Sequence, residues 1–225
     1  MIQAILFDLD DTLYPENEFA LSGYRAVARA VEAIGECGFE TAFDCMRTAF
    51  YEAGREAVFP CLLARFSGLD MTLEDIVRVY REHVPEIRLF PGYRRLLEEL
   101  GKNYRLGMIT DGLPAVQRGK VRALGIEGLF DKIVYSWDYG QEQQKPHLYP
   151  FELMLEALRV LPQSTLFVGD NPEKDGAGAR GAGMYYVRVV LSAGRQTTPA
   201  LPSEIIIENL LQLPQILIRL PRILK

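Results

Sequence analysis

Apolar residues are spaced along this chain in two ways. From about residue 16 to 86 they recur at helical intervals and no run reads as a strand. Glu18 to Glu36 carries Leu21, Tyr24, Ala28 and Val31 on one stripe, and Gly38 follows as a stop signal. A second helix is expected over about Thr41–Val58, with Phe43, Met46, Phe50 and Ala57 aligned, and a third piece around Pro60–Phe66. A fourth begins at Thr72, which forms a capping-box pattern with Asp75, and runs through Ile76, Val79 and Tyr80 toward Val84, ending at Pro85.

The rest of the chain alternates. Ala4–Phe7 is an apolar run that reads as a buried strand. Later strands are expected at Arg105–Thr110, Lys132–Ser136, Thr165–Gly169 and Tyr185–Val189, with one more at Ile205–Ile207. Helices are expected between them at Gly92–Leu100, Pro114–Leu124, Tyr149–Val160 and Glu173–Ala182, and residues 192–203 read as a loop. Such alternation implies a parallel sheet covered on both faces, with right-handed crossovers. The predicted fold class is therefore α/β: a Rossmann-like parallel sheet with helices on both faces, plus an inserted all-helical domain. The expected division is a core of residues 1–15 and 87–225 and a helical cap of residues 16–86. Its links, near Tyr14-Pro15 and Leu89-Phe90-Pro91-Gly92, would suit the hinge of a lid.

Composition narrows the partners. With 225 residues, 48% of them hydrophobic, the chain can bury a real core. A net charge of -5 and the absence of a basic stripe argue against nucleic acid as a main partner. Cys37, Cys45 and Cys61 form no CxxC pair and suit a reducing, cytoplasmic setting with packed thiols rather than a disulfide frame. No secretory signal pattern and no membrane-spanning apolar stretch is expected. The Leu/Ile-rich tail, Leu210–Leu224, reads as a terminal helix packing on the sheet rather than lying on a membrane. Pro214 and Pro221 interrupt any long amphipathic stripe.

The chemistry gathers at strand ends. Directly after the first strand stands Asp8-Leu9-Asp10-Asp11-Thr12-Leu13. Three carboxylates so close repel one another unless a cation or a buried proton offsets them. In open parallel sheets the carboxyl ends of strands are where ligands bind. The second strand ends in Thr110-Asp111-Gly112, Lys145-Pro146-His147 follows the third, and the fourth ends in Gly169-Asp170-Asn171-Pro172-Glu173-Lys174-Asp175. Singly these are cap or turn signals. In this order, on one rim, they form a pattern.

That pattern resembles the haloacid dehalogenase superfamily, in the branch with a helical cap after the first strand. D-x-D-x-[TV], a strand-terminal Thr, a Lys and G-D-x-x-x-x-D all stand here, and the resemblance spans nearly the whole chain. It implies Asp8 as the nucleophile that forms an aspartyl-phosphate, and Asp10 as general acid and then base. It implies Thr110 and the Asp111 amide as phosphate donors, and Lys145 as the cation that neutralises nucleophile and phosphoryl group. Mg²⁺ would be bound by Asp8, Asp170 and the Asp10 carbonyl, with Asp175 supporting the metal shell or holding Lys145. Asp11 is expected to be a turn former and Thr12 to orient the turn. Tyr14, Tyr24, Arg25, Arg47, Arg55 and Arg65 are candidates for substrate selection. His147 faces the site or caps a helix.

The implied activity is Mg²⁺-dependent hydrolysis of a small phosphorylated metabolite by a monomer or homodimer. A dehalogenase of the superfamily would lack the second aspartate, whereas a sugar phosphomutase would share every core residue. A catalytically inactive binding module would normally have lost the nucleophile or a metal aspartate.

Overall fold

The computed structural model describes residues 1–191 and 204–223, with side chains described through Arg219; the loop expected over residues 192–203 and the end of the tail lie outside them. The chain divides into two compact units, Glu16–Ile87 and a second made of Met1–Pro15 with Arg88–Lys225. The return falls one residue beyond the expected boundary.

The Glu16–Ile87 unit is helical: α1 (Glu16–Ala33), α2 (Phe39–Ala53), α3 (Val58–Arg65) and α4 (Leu73–Glu82). Its core holds Val27, Val31, Met46, Leu62 and Ile76, all fully buried, beside Tyr24, whose ring meets those of Phe50, Phe59 and Tyr80. The single helix expected over residues 41–58 is divided, because Gly54 adopts φ 86°, a left-handed value that a helix cannot carry. A 3₁₀ turn, Arg55–Ala57, then leads into α3. Pro60 is accommodated in the first turn of α3, where its missing N–H would have had no intrahelical acceptor. At α4 the box closes: the Asp75 amide donates to Thr72 Oγ1 at 3.1 Å and the Thr72 amide to Asp75 Oδ2 at 3.1 Å. The helix stops at Glu82, two residues before Val84. There the His83 ring nitrogen Nε2 lies 3.0 Å from the buried Ser22 hydroxyl of α1, which also accepts from the Glu86 amide at 2.8 Å.

The second unit is built on β1 (Ala4–Phe7), β2 (Arg105–Thr110), β3 (Lys132–Tyr135), β4 (Thr165–Gly169), β5 (Tyr185–Val189) and β6 (Ile205–Ile207). All pairings are parallel and the order is β3-β2-β1-β4-β5-β6. Phe7 stands opposite Met108 and Val168, so the carboxyl ends of β1, β2 and β4 form a single rim. Ala4, Leu6, Ile109 and Phe167 share one apolar cluster with Phe151, Met154 and Leu158. The alternate residues Ile5, Phe7, Leu106, Met108, Leu166 and Val168 are also fully buried. Burial on both faces explains why these strands are continuously apolar instead of alternating.

The helices of this unit are α5 (Tyr93–Leu100), α6 (Pro114–Leu124), α7 (Tyr149–Leu158), α8 (Ala177–Gly181) and α9 (Leu213–Ile223). One expected element changes character. Glu173–Ala182 is not a single helix: Pro172–Gly176 forms one wide π-type turn before the short α8. α9 carries Pro214 in its first turn, where proline costs little, after a 3₁₀ turn at Leu210–Gln212.

Candidate active site

Strand order reverses between β1 and β4, and that switch point is where the acidic residues lie. Asp8 follows β1 directly, its amide donating to Val168 O at 3.0 Å, so the sheet itself fixes the residue. Lys145, only 3% exposed, sends its ammonium to Asp8 Oδ1 at 2.5 Å, to Asp175 Oδ1 at 2.7 Å and to Ile109 O at 3.2 Å. Three acceptors match the three N–H donors of the ammonium. Burial alone would pull the Lys145 pKa down, but the charges of Asp175, Asp8 and Asp111 hold it well above the usual lysine value. Asp175 reaches this position because the wide turn folds it back over the end of β4. Its Oδ2 accepts from the Asn171 amide at 3.1 Å, and a Cβ on Gly169 would lie 2.3 Å from that oxygen.

One ammonium does not balance the negative charge collected here. Asp8, Asp170 and Asp175 each place a carboxylate oxygen within 4.8 Å of the others. Burial raises the Asp8 pKa well above the ordinary range; Lys145 opposes this, while Asp175, Asp170 and Asp10 add to it. Burial, then the charges of Asp175 and Asp11, push Asp170 up to about 7. An all-oxygen cluster with surplus negative charge fits a hard divalent cation.

The Asp10 carboxylate is not part of this cluster. Tyr14 donates its hydroxyl to Oδ1, Gln117 Nε2 donates to Oδ2 at 2.9 Å, and Lys120 Nζ reaches the two oxygens at 2.8 and 3.0 Å. Burial raises its pKa, but the Lys120 charge and the bonds from Lys120, Tyr14 and Gln117 outweigh this and hold it below the usual carboxylate range. Gln117 Nε2 also lies 2.5 Å from Thr110 Oγ1. Because that hydroxyl accepts from an amide, its own proton is left to point elsewhere. Asp11 takes φ 52°, a turn conformation that Asp tolerates, and Thr12 Oγ1 faces Asp8 Oδ2 at 3.4 Å.

Asp111 ties two rim segments together. Its Oδ1 accepts from the Ser136 hydroxyl at 2.7 Å and from the Lys145 amide at 3.1 Å. The structure thus brings Asp8, Asp10, Thr110, Asp111, Lys145, Asp170 and Asp175 to one rim. The candidates for substrate selection have partners within their own units. Tyr14 is fully buried against Asp10, and Tyr24 sits in the helical core, where burial pushes it up to about 12. Arg55 makes two bonds to Glu16 at 2.6 and 2.7 Å, Arg47 pairs with Asp44, and Arg25 and Arg65 lie over the Phe43 and Phe66 rings. His147 Nδ1 accepts from the Tyr149 amide at 3.2 Å, which is a helix-cap contact.

Gln117 and Lys120 were not singled out from the sequence. A signal was present. They occupy the same helical stripe as Val121 and Leu124, which is the face α6 buries, so they are polar residues where apolar ones are expected.

Sheet order and acidic rim define a doubly wound α/β protein with a strand-end carboxylate centre. The chain belongs to the haloacid dehalogenase-like hydrolase family, whose model matches residues 5–189. It is 32% identical over 198 residues to a glyceraldehyde 3-phosphate phosphatase of Methanocaldococcus jannaschii, covering 84% of this chain and 86% of that one. Among solved structures it is similar to a 2-haloacid dehalogenase from Pseudomonas syringae, with 27% identity, TM-score 0.65 and coverage of 98% and 100%. It is also similar to a phosphatase of the same superfamily from Thermococcus onnurineus, with 25% identity, TM-score 0.64 and coverage of 96% and 98%. Among the described residues no helix is long and apolar enough to cross a membrane.

Proposed function

We propose that this chain is a Mg²⁺-dependent phosphatase of small phosphorylated metabolites that works through an aspartyl-phosphate on Asp8. The observation that carries the reading is the buried Lys145 bridging Asp8 and Asp175 beside the Asp170 carboxylate. Support for phosphate esters comes from relatives named as phosphatases, among them the archaeal glyceraldehyde 3-phosphate enzyme. The chain is thereby a hydrolase of phosphate monoesters, and its substrate is a small phosphorylated metabolite. The Glu16–Ile87 unit is assigned the selection of that metabolite.

Asp8 and Asp170, with Asp175 beside them, would hold Mg²⁺, which when bound offsets the charge that keeps a carboxylate from approaching a phosphate. In the first half-reaction an Asp8 oxygen bonds to phosphorus as the ester P–O bond breaks, and the Asp10 carboxyl, which must first take up a proton from solvent against the Lys120 charge, gives that proton to the leaving oxygen. In the second, the Asp10 carboxylate takes a proton from water, the water oxygen bonds to phosphorus, and the Asp8–phosphorus bond breaks to release phosphate. Thr110 and the Asp111 amide donate to phosphate oxygens, while Lys145 answers the charge on Asp8 and the phosphoryl group.

A dehalogenase reading is favoured by one observation, the likeness to the Pseudomonas syringae enzyme. The presence of Asp10, the second aspartate that a dehalogenase of the superfamily would lack, argues for phosphate chemistry, since halide needs no proton to leave. Phosphate release from a panel of small esters, with and without Mg²⁺, tests the proposal. Activity should vanish with chelator and fall by at least about 10³-fold in Asp8→Asn, since removing a covalent nucleophile removes the route itself. Halide release without metal, or full turnover by Asp8→Asn, would overturn it.

A further inference from the structure

Asp10 stands beyond the ladder of β1, in a bend closed by a single bridge to Tyr14, so sheet pairing does not orient its carboxyl. The final torsion of an aspartate is broad and roughly two-fold, and leaves the oxygens free to turn unless something grips them. Here both are gripped, and mainly from α6: Lys120 reaches each oxygen and Gln117 takes Oδ2. Lysine ordinarily keeps its ammonium in water along a flexible stem. Lys120 instead is 4% exposed and Gln117 2% exposed, on the face that also buries Val121 and Leu124. Burying an ammonium costs several kcal/mol unless an anion meets it at close range. Asp10 is an anion it meets at such range.

From this geometry we infer that Lys120, together with Gln117, is a positioning residue of the reaction: the buried face of α6 sets the direction of the Asp10 carboxyl toward the leaving oxygen and then toward water. Gln117 couples that direction to the phosphate end of the site, because the same amide nitrogen meets Thr110 Oγ1. Neither residue is given contact with the reacting atoms. The inference rests on the reading of Asp10 as the general acid and base.

Leaving-group dependence separates positioning from mere support of the fold. With saturating Mg²⁺ and fixed pH, kcat/KM reports steps through transfer of the phosphoryl group to Asp8. A nitrophenolate leaves with little need of a proton, whereas an alkoxide needs one. The comparison is therefore between 4-nitrophenyl phosphate and a simple alkyl phosphate. Asp10→Asn should lower kcat/KM for the alkyl ester about 10²–10³-fold more than for the aryl ester, the usual range of general-acid catalysis. Lys120→Met should show the same bias at about 30-fold, and Lys120→Arg, which can still meet both oxygens, should return it to within about 3-fold. Inhibition by inorganic phosphate should change less than about 2-fold in Lys120→Met, since no phosphate contact is lost.

Equal loss on both esters, or failure of arginine to rescue, would overturn the inference and leave Lys120 as a support of the fold. A weakened grip on inorganic phosphate would do so too, by making it a substrate ligand. If Lys120→Met does not fold, Gln117→Met, which keeps the ion pair, is read by the same ester comparison and must show the alkyl bias. Absence of any bias in Asp10→Asn itself would remove the acid role of Asp10, and the inference with it. The Asp8→Asn and chelator results would then still stand or fall independently.

Discussion

Lys145 is where single-residue chemistry and stability meet most directly. Its ammonium answers two buried carboxylates and a carbonyl, and it is 3% exposed. Removing one member of a buried ion network costs more than the network contributes, because the remaining charges keep their desolvation penalty. Lys145→Met should therefore lose about 3–5 kcal/mol of unfolding free energy at neutral pH, measured by urea titration. The loss should shrink toward pH 5. In that variant burial holds the Asp8 pKa above its unfolded value with no Lys145 charge to oppose it, so the folded protein binds that proton more tightly than the unfolded chain and is penalised as pH rises. A loss independent of pH would mean that packing, not charge, is what Lys145 supplies. The sequence made Asp8, Lys145 and Asp170 legible because each follows a strand and the strands are parallel. Lys120 and Gln117 were not legible because a polar residue on a helix is ordinarily solvated. Only their place in the buried stripe, seen beside Val121 and Leu124, marks them.

At the scale of elements, strands were easier to read than turns. Arg105–Thr110 and Thr165–Gly169 have the expected bounds because each is a largely apolar run buried on both faces and ended by a polar or glycine residue. The segment after β4 departs from a continuous helix for a tertiary reason. Helical periodicity continues through residues 173–182, but Asp175 must turn back to meet Lys145 and the Asn171 amide, and the wide turn is the conformation that allows it. Two element-level predictions follow from local geometry. Thr72→Ala removes one half of the α4 capping box and should cost about 1 kcal/mol, seen as a lower urea midpoint with an unchanged slope. Gly107→Ala should cost more, about 1–3 kcal/mol. A Cβ there would lie 2.6 Å from Leu6 Cδ2 and 2.7 Å from Met154 Sδ, between β1 and α7, and both neighbours are fully buried. An alanine at residue 107 that left stability unchanged would show that α7 can move off the sheet freely.

For the molecule as a whole, each unit encloses its own core, and the titrating acids belong to the α/β unit. Asp170 is the group whose pKa is raised to about 7 against an ordinary 3.8. The folded state therefore holds its proton more tightly than the unfolded chain. Unfolding free energy should fall as pH rises from about 4 through about 7 and then level off, by at most about 4 kcal/mol from this group. Chelator-treated protein should show that slope, and Asp170→Asn should reduce it, leaving the part that belongs to the raised Asp8. Mg²⁺ acts on the same balance from the other side. A cation at a hundred times its dissociation constant adds about 2.7 kcal/mol. At pH 5 it must displace the Asp170 proton, whereas at pH 8 it finds the carboxylate already ionised, so the rise in melting temperature should be larger at pH 8. Calorimetry at both pH values, with and without Mg²⁺, in the parent and in Asp170→Asn, decides the matter. If the cation raised the melting temperature of Asp170→Asn as much as that of the parent, the metal would have to bind somewhere other than the cluster at the switch point between β1 and β4.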